Sequence, residues 1–286
     1  MSTRNRPAGS TPTLTSAAFG ADPGRHPLPP ATRPVERWMR AVALGGQGRY
    51  SRARAELADI TRDRQAGPEV VSLAWSTQAS LLRQLGNHRA ASGLDGRALA
   101  LVGAGPADRA AESVLVRAAR CDALTGLAAD ALGCGRLALG WRLLDRCGEQ
   151  LAGELSGRGV TGAEGLWRQQ VRRHWVSAEL FLAGADFPSA RRHAVAAAEI
   201  SAVAGSVRHH LKSELLRSAS MTGEPDTEPA AQLAAEVLDG CERHGLIPLK
   251  WAAAMLLAGL TGDRRAQQVR EECEAMVAAR GGHFRT

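Results

Sequence analysis

Aromatic residues make up only 4% of this 286-residue chain, and no stretch alternates apolar and polar residues between turn signals. Strands favour aromatic and β-branched side chains in a period of two, so both shortages argue against a sheet. Lysine is nearly missing: Lys212 and Lys250 are the only two, and arginine supplies the rest of the positive charge. With abundant alanine and glycine, that bias is what a GC-rich coding sequence produces. The net charge is +7, but Arg4, Arg6, Arg25 and Arg33 against Asp22 place +3 of it in the first 33 residues. The body therefore carries only the remaining +4 of the +7. Few aromatics for base stacking, and acids interspersed among the arginines, argue against a nucleic-acid partner.

Cysteine pairing is missing too. The five cysteines (Cys121, Cys134, Cys147, Cys241, Cys273) are odd in number and form no C-x-x-C pair. In helical, apolar surroundings they read as small buried hydrophobes of a reducing, cytoplasmic setting. No run approaches 18 uncharged apolar residues and no apolar leader segment stands at the N-terminus, so no membrane is expected.

What is present is alanine, leucine and valine, within a 44% hydrophobic composition that favours helix. The fold class expected is all-α. Residues 1–33, rich in Ser, Thr, Pro and Gly, read as a disordered tail. Residues 34–286 read as one domain of helix pairs, at about 35–61, 68–102, 107–155, 166–202 and 206–244, with closing helices over 248–279. Pro34 suits the first turn of the first helix.

The pairs share a pattern: a small residue in the first helix, a small residue at the turn, and alanines at fixed offsets after it. The second pair, from Trp75 to Ala98, carries it most clearly with Trp75, Ala79, Leu82, Gly86, Ala91 and Ala98. The first offers Ala41, Leu44, Gly48, Tyr50, Ala53 and Leu57, and the third Gly126, Gly133 and Ala138. The fourth offers Ala178, Phe181, Ala185, Phe187, Ala190 and Ala197. This pattern resembles the tetratricopeptide repeat, over about residues 34–204. From Gly48, Gly86, Gly133 and Ala185 the steps are 38, 47 and 52 residues, longer than the family's 34, which predicts a divergent α-α superhelical array.

The resemblance implies a role and a place for it. In that family the first helix of each pair lines a concave groove that binds a protein or peptide partner. Carried onto the matching copies, the groove stripe is Ser76, Ser80, Arg83 and Gln84, then Arg120 and Asp130, then Arg172, Trp175 and Glu179. A further step of 34 residues reaches His209 and Arg217. Trp38, Trp141, Trp167 and Trp251 read as packing residues, whereas Trp175 is aimed into the groove.

Other motifs carry less. Val102-Gly103-Ala104-Gly105 has the start of a dinucleotide-binding turn but lacks the preceding strand and third glycine, so it reads as a helix end. The clusters Arg172-Arg173-His174, Arg191-Arg192-His193 and Arg208-His209-His210 lack ligand spacing for zinc. They read as a solvated basic face, or as a surface for a carboxylate. No hydrolase, P-loop or metalloprotease motif is present, so the chain is expected to be non-enzymatic and to need no cofactor or metal. The leading expectation is a cytoplasmic adaptor holding a peptide or protein segment. The alternative is a helical regulator that senses a small ligand or touches nucleic acid indirectly through the 172–217 basic surface. Oligomeric state stays open.

Overall fold

Prolines and short polar caps set where the helices begin. Proline occupies the first turn of α2 (Pro34–Gly46), α4 (Pro68–Gln84), α9 (Phe187–Val203), α11 (Glu228–Arg243) and α12 (Ile247–Thr261). There its missing N–H costs nothing. Side chains of Ser113, Asp186 and Asp263 accept from the opening amides of α6 (Val114–Gly133), α9 and α13 (Arg264–Ala279). The remaining helices are α1 (Ser10–Phe19), α3 (Tyr50–Arg62), α5 (His88–Val102), α7 (Leu137–Leu151), α8 (Trp167–Ala183) and α10 (Val207–Ser220). The computed structural model describes residues 10–103, 112–152 and 165–285, all-α with no strand among them. The expected start of the third pair near Ala107, the dipeptide Ala104-Gly105 and most of the glycine-rich 156–165 loop lie outside the described residues. Among those described, no helix is long and apolar enough to cross a membrane.

The repeated turns have one chemistry. After α2, α4, α6 and α8 the chain crosses into left-handed φ at Gly48, Gly86, Gly135 and Ala185. The next amide then reaches back five residues, as from Asn87 N to Leu82 O at 2.9 Å and Asp186 N to Phe181 O at 2.9 Å. This corrects the register of the third pair, whose turn residue is Gly135 rather than Gly133. The steps become 38, 49 and 50 residues. Seven residues before each turn stand Ala41, Ala79, Ala128 and Ala178, all fully buried. Five residues after stand Ala53, Ala91, Gly140 and Ala190, where a larger side chain would hold the paired helices apart. Ala138, matched to the pattern by sequence, is exposed instead.

Among the described residues six antiparallel pairs result: α2–α3, α4–α5, α6–α7, α8–α9, α10–α11 and α12–α13. The first helices touch in order, α2 to α4, α6, α8, α10 and α12, and α12 touches α2 again. The array is thus a closed ring with the second helices outside, where an open concave face was expected. The reason is that its two ends match. Gly48 lies against Ile247 and Val277, and Val277 shares with Tyr50, Leu57, Ile60 and Leu73 the largest apolar cluster. The C-terminal strand of chain ties the joint with main-chain bonds, Ser51 N to Arg280 O at 3.0 Å and Arg285 N to Leu85 O at 2.9 Å. Side chains add Arg54 Nη2 to Gly281 O at 2.7 Å and Arg280 Nη1 to Gln47 O at 2.8 Å.

The expected disordered tail is corrected for residues 10–33. Leu14, Ala17 and Ala18 of α1 are buried, and α1 packs on α2 and α10, reaching across the ring. The segment is too poor in apolar residues to order alone, but these two helices cover its single apolar face. Residues 1–9 lie outside the described residues. Four of the five cysteines are buried free thiols, and Cys134 is the exception, exposed at the α6–α7 turn.

Candidate functional site

Inside the ring, α2, α6, α8 and α10 bring charged and aromatic side chains to one place. Asp122 of α6 is the anchor, buried in an otherwise alanine-rich stretch. Arg168 pairs with it through both terminal nitrogens, and Arg172 Nε stands 3.3 Å from the same carboxylate. Arg168 and Arg172 lie four apart on α8, hence on one face. The Arg168 guanidinium also covers two rings, at 5.2 Å from the Phe19 centroid and 5.4 Å from that of Trp38.

His209 of α10 forms the aromatic half. It is buried, shares a 2.8 Å hydrogen bond with Ser206 Oγ, and stacks on Trp175 at 5.2 Å and 15°. Trp167 meets it edge-on at 5.1 Å, and the Phe19 ring lies 6.4 Å away. Trp175 Nε1 donates to Ser213 Oγ at 2.8 Å, and Lys212 caps the outer face of the indole at 4.5 Å while pairing with Glu179. Burial, reinforced by Arg208, Arg168, Arg172 and Lys212, holds the His209 imidazole well below its ordinary pKa, so it is neutral. Burial likewise lowers Arg172, and lowers Arg208 to about 10 with help from Arg168 and Arg172. The site is crowded with positive charge.

The groove residues expected from sequence separate into groups. Arg172, Trp175 and His209 converge here. Arg83 and Asp130 join Asp95 in a second buried cluster, with Arg83 Nε 2.8 Å from Asp130 and its Nη2 on Asp95. Ser76 is buried beside them. Burial pushes the Asp95 carboxyl up, to about 7, against the pull of Arg83. Arg120 is a clamp: it donates to Glu112, to Gln150 Oε1 at 3.1 Å, and to the carbonyls of Val102 and Gly103 at 2.8 and 2.9 Å. Ser80, Glu179 and Arg217 are half-buried, and Arg217 pairs with Glu214 at 3.2 Å.

Sequence reasoning missed Asp122, Arg168, Phe19 and the inward placement of Trp38 and Arg208. The third-pair register hid Asp122: counted from Gly135 it takes the place that Arg172 holds before Ala185, and Trp38 takes the place of Trp175. Nor are all the basic clusters a solvated face. His209 is buried, and His174 Nδ1 meets His193 Nδ1 at 2.8 Å, so one ring must donate and the other accept. Burial, with His193 and Arg173 nearby, lowers His174 to about 4. Its folded pKa lies below the unfolded 6.5, so its share of stability is present above pH 6.5 and lost as pH falls toward 4. That share is on the order of 1–3 kcal/mol. Urea unfolding of wild type and His174→Phe at pH 7.5, 6 and 5 checks it, because the gap between them should narrow as pH falls. Among the described residues no group of three His, Cys, Asp or Glu side chains could hold a metal ion.

No family model, curated protein or solved structure matches the chain.

Proposed function

We propose that this chain is a non-enzymatic, tetratricopeptide-like interaction module that holds a segment of a protein partner against its inner helices, in a regulatory or assembly setting. One observation carries the reading: the inner helices already hold a peptide segment, residues 10–25, largely through its main-chain carbonyls. Gln47 Nε2 donates to Pro23 O and Arg25 O, both at 2.9 Å, and Val207 N donates to Gly20 O at 3.2 Å. Buried free thiols fit a cytosolic setting. The alternative is a helical regulator that senses a small ligand or contacts nucleic acid indirectly through the 172–217 basic surface; the inward turn of Arg172, Arg208 and His209 weighs against its nucleic-acid branch.

The test is retention of a native partner on immobilised full-length protein. Arg208→Glu and Trp175→Ala should each abolish it with helicity unchanged, while the exposed control Arg191→Glu should not. Retention of every partner by both inner variants sinks the reading.

A further inference from the structure

The inner site carries more positive charge than its own helices balance. Asp122 answers Arg168 and Arg172, but no carboxylate of the described residues pairs with Arg208. Its acceptor comes from the N-terminal segment, where Ala18 O lies 3.3 Å from Arg208 Nη2. Ala18 O belongs to the last turn of α1, so the negative end of that helix dipole faces Arg208. Beside them the Phe19 ring fits between Trp38 at 5.3 Å, the Arg168 guanidinium and His209.

The rest of the attachment is the pair of Gln47 bonds to Pro23 O and Arg25 O and a few side chains, among them Thr15 on Met39 Sδ and Arg33 on Thr11. Leu14 is the one large apolar side chain of α1 that is buried, accompanied by Ala17 and Ala18. Thr11 Oγ1 donates to Glu36 Oε1 at 2.6 Å near the outer end. A ten-residue helix has no stability of its own in water. Carbonyl oxygens, small residues and one aromatic ring are also features that another chain can supply.

We infer that residues 10–25 are a displaceable internal ligand, and that the surface beneath them, formed by Trp38, Arg168, Arg208 and His209, receives a partner's helical segment ending in an aromatic residue, with a last-turn carbonyl oxygen on Arg208. The inference rests on the peptide-holding reading above and adds to it the partner's chemistry and its competitor. In the free protein the segment covers the site, and binding requires its departure.

A synthetic peptide of residues 10–25, fluorescently labelled, serves as probe against full-length protein. Leu14→Asp with Gly24→Ala should release the internal copy, because a methyl at Gly24 would stand 2.5 Å from His244 O, a main-chain atom. The released protein should bind the probe at least about tenfold tighter than wild type, since a covered site lowers apparent affinity by the fraction open. Phe19→Ala in the probe, or Arg208→Met in the protein, should remove that gain. Equal binding by released and wild-type protein overturns the inference. So does no binding when hydrogen exchange shows the segment free and the ring intact, a result that leaves the partner-retention test untouched. If the released protein instead dimerises with rising concentration, the occupant is a second copy and the partner assignment falls. Wild type gives an independent check: α1 should exchange by local opening, faster than α4 and α6, and exchange only with global unfolding overturns the inference even if the variant fails to fold.

Discussion

Asp122→Ala should cost about 3–5 kcal/mol of folding stability at pH 7, the penalty for leaving buried charge uncompensated. The carboxylate is the acceptor for Arg168 and the counter-charge of Arg172, and Arg208 stands close enough to feel both. Without it three guanidiniums share a site in which Ala18 O accepts from Arg208 and the Asp95 carboxylate is the next anion to act on Arg172. The effect should exceed what loss of the hydrogen bonds alone would give, about 1–3 kcal/mol for bonds to a charged partner. Adding Arg168→Met to Asp122→Ala should therefore recover part of the loss, because it removes a charge that no longer has a partner. Urea unfolding followed by circular dichroism decides the matter. A single-variant loss below about 1 kcal/mol would mean that the guanidiniums reach water and that the interior is not crowded with charge.

Val277→Asp should be nearly as severe, at about 4 kcal/mol at pH 7, from lost apolar burial together with a carboxyl that must be neutralised or desolvated. Val277 has no exposed surface and sits where the last pair meets Tyr50 of the first. Met276, its neighbour on α13, is partly exposed, and Met276→Asp should change stability by no more than about 0.5 kcal/mol. The new carboxyl would have its folded pKa raised, so the penalty at Val277 should shrink as pH falls below that value. Thermal unfolding of both variants at pH 7 and pH 5 checks the contrast. A cost at Val277 matching that at Met276 would show that the two ends of the array are not joined in solution.

The helices were legible because their boundaries are chemical. Pro34, Pro68 and Pro248 mark starts, and Gly48, Gly86 and Gly262 mark turns by permitting left-handed φ. Where a boundary had two candidates the reading slipped, as at Gly133 and Gly135, and a shift of two residues was enough to hide Asp122. Placing the binding stripe on the first helices did put Arg172, Trp175 and His209 inside the ring. It could not show that Arg83 and Asp130 satisfy one another, since that pairing joins residues 47 apart and depends on how α4 crosses α6. Closure was illegible for the same reason: nothing local in Val277 says that its neighbour is Tyr50. The N-terminal helix was missed because its Ser and Thr residues describe the isolated segment, whereas its order comes from Trp38, Met39 and Arg208 around it.

The meeting of α12 with α2 has a consequence for how such a chain can vary. An open array can gain or lose a repeat at either end, since each unit touches only its neighbours. A closed one has no end to extend. Adding a seventh pair would change the bend required at all the existing junctions at once, and removing one would leave two unmatched faces. The number of pairs is therefore fixed by geometry, and change is confined to what each pair carries: the length of its helices, its turns, and the few side chains it turns toward the centre.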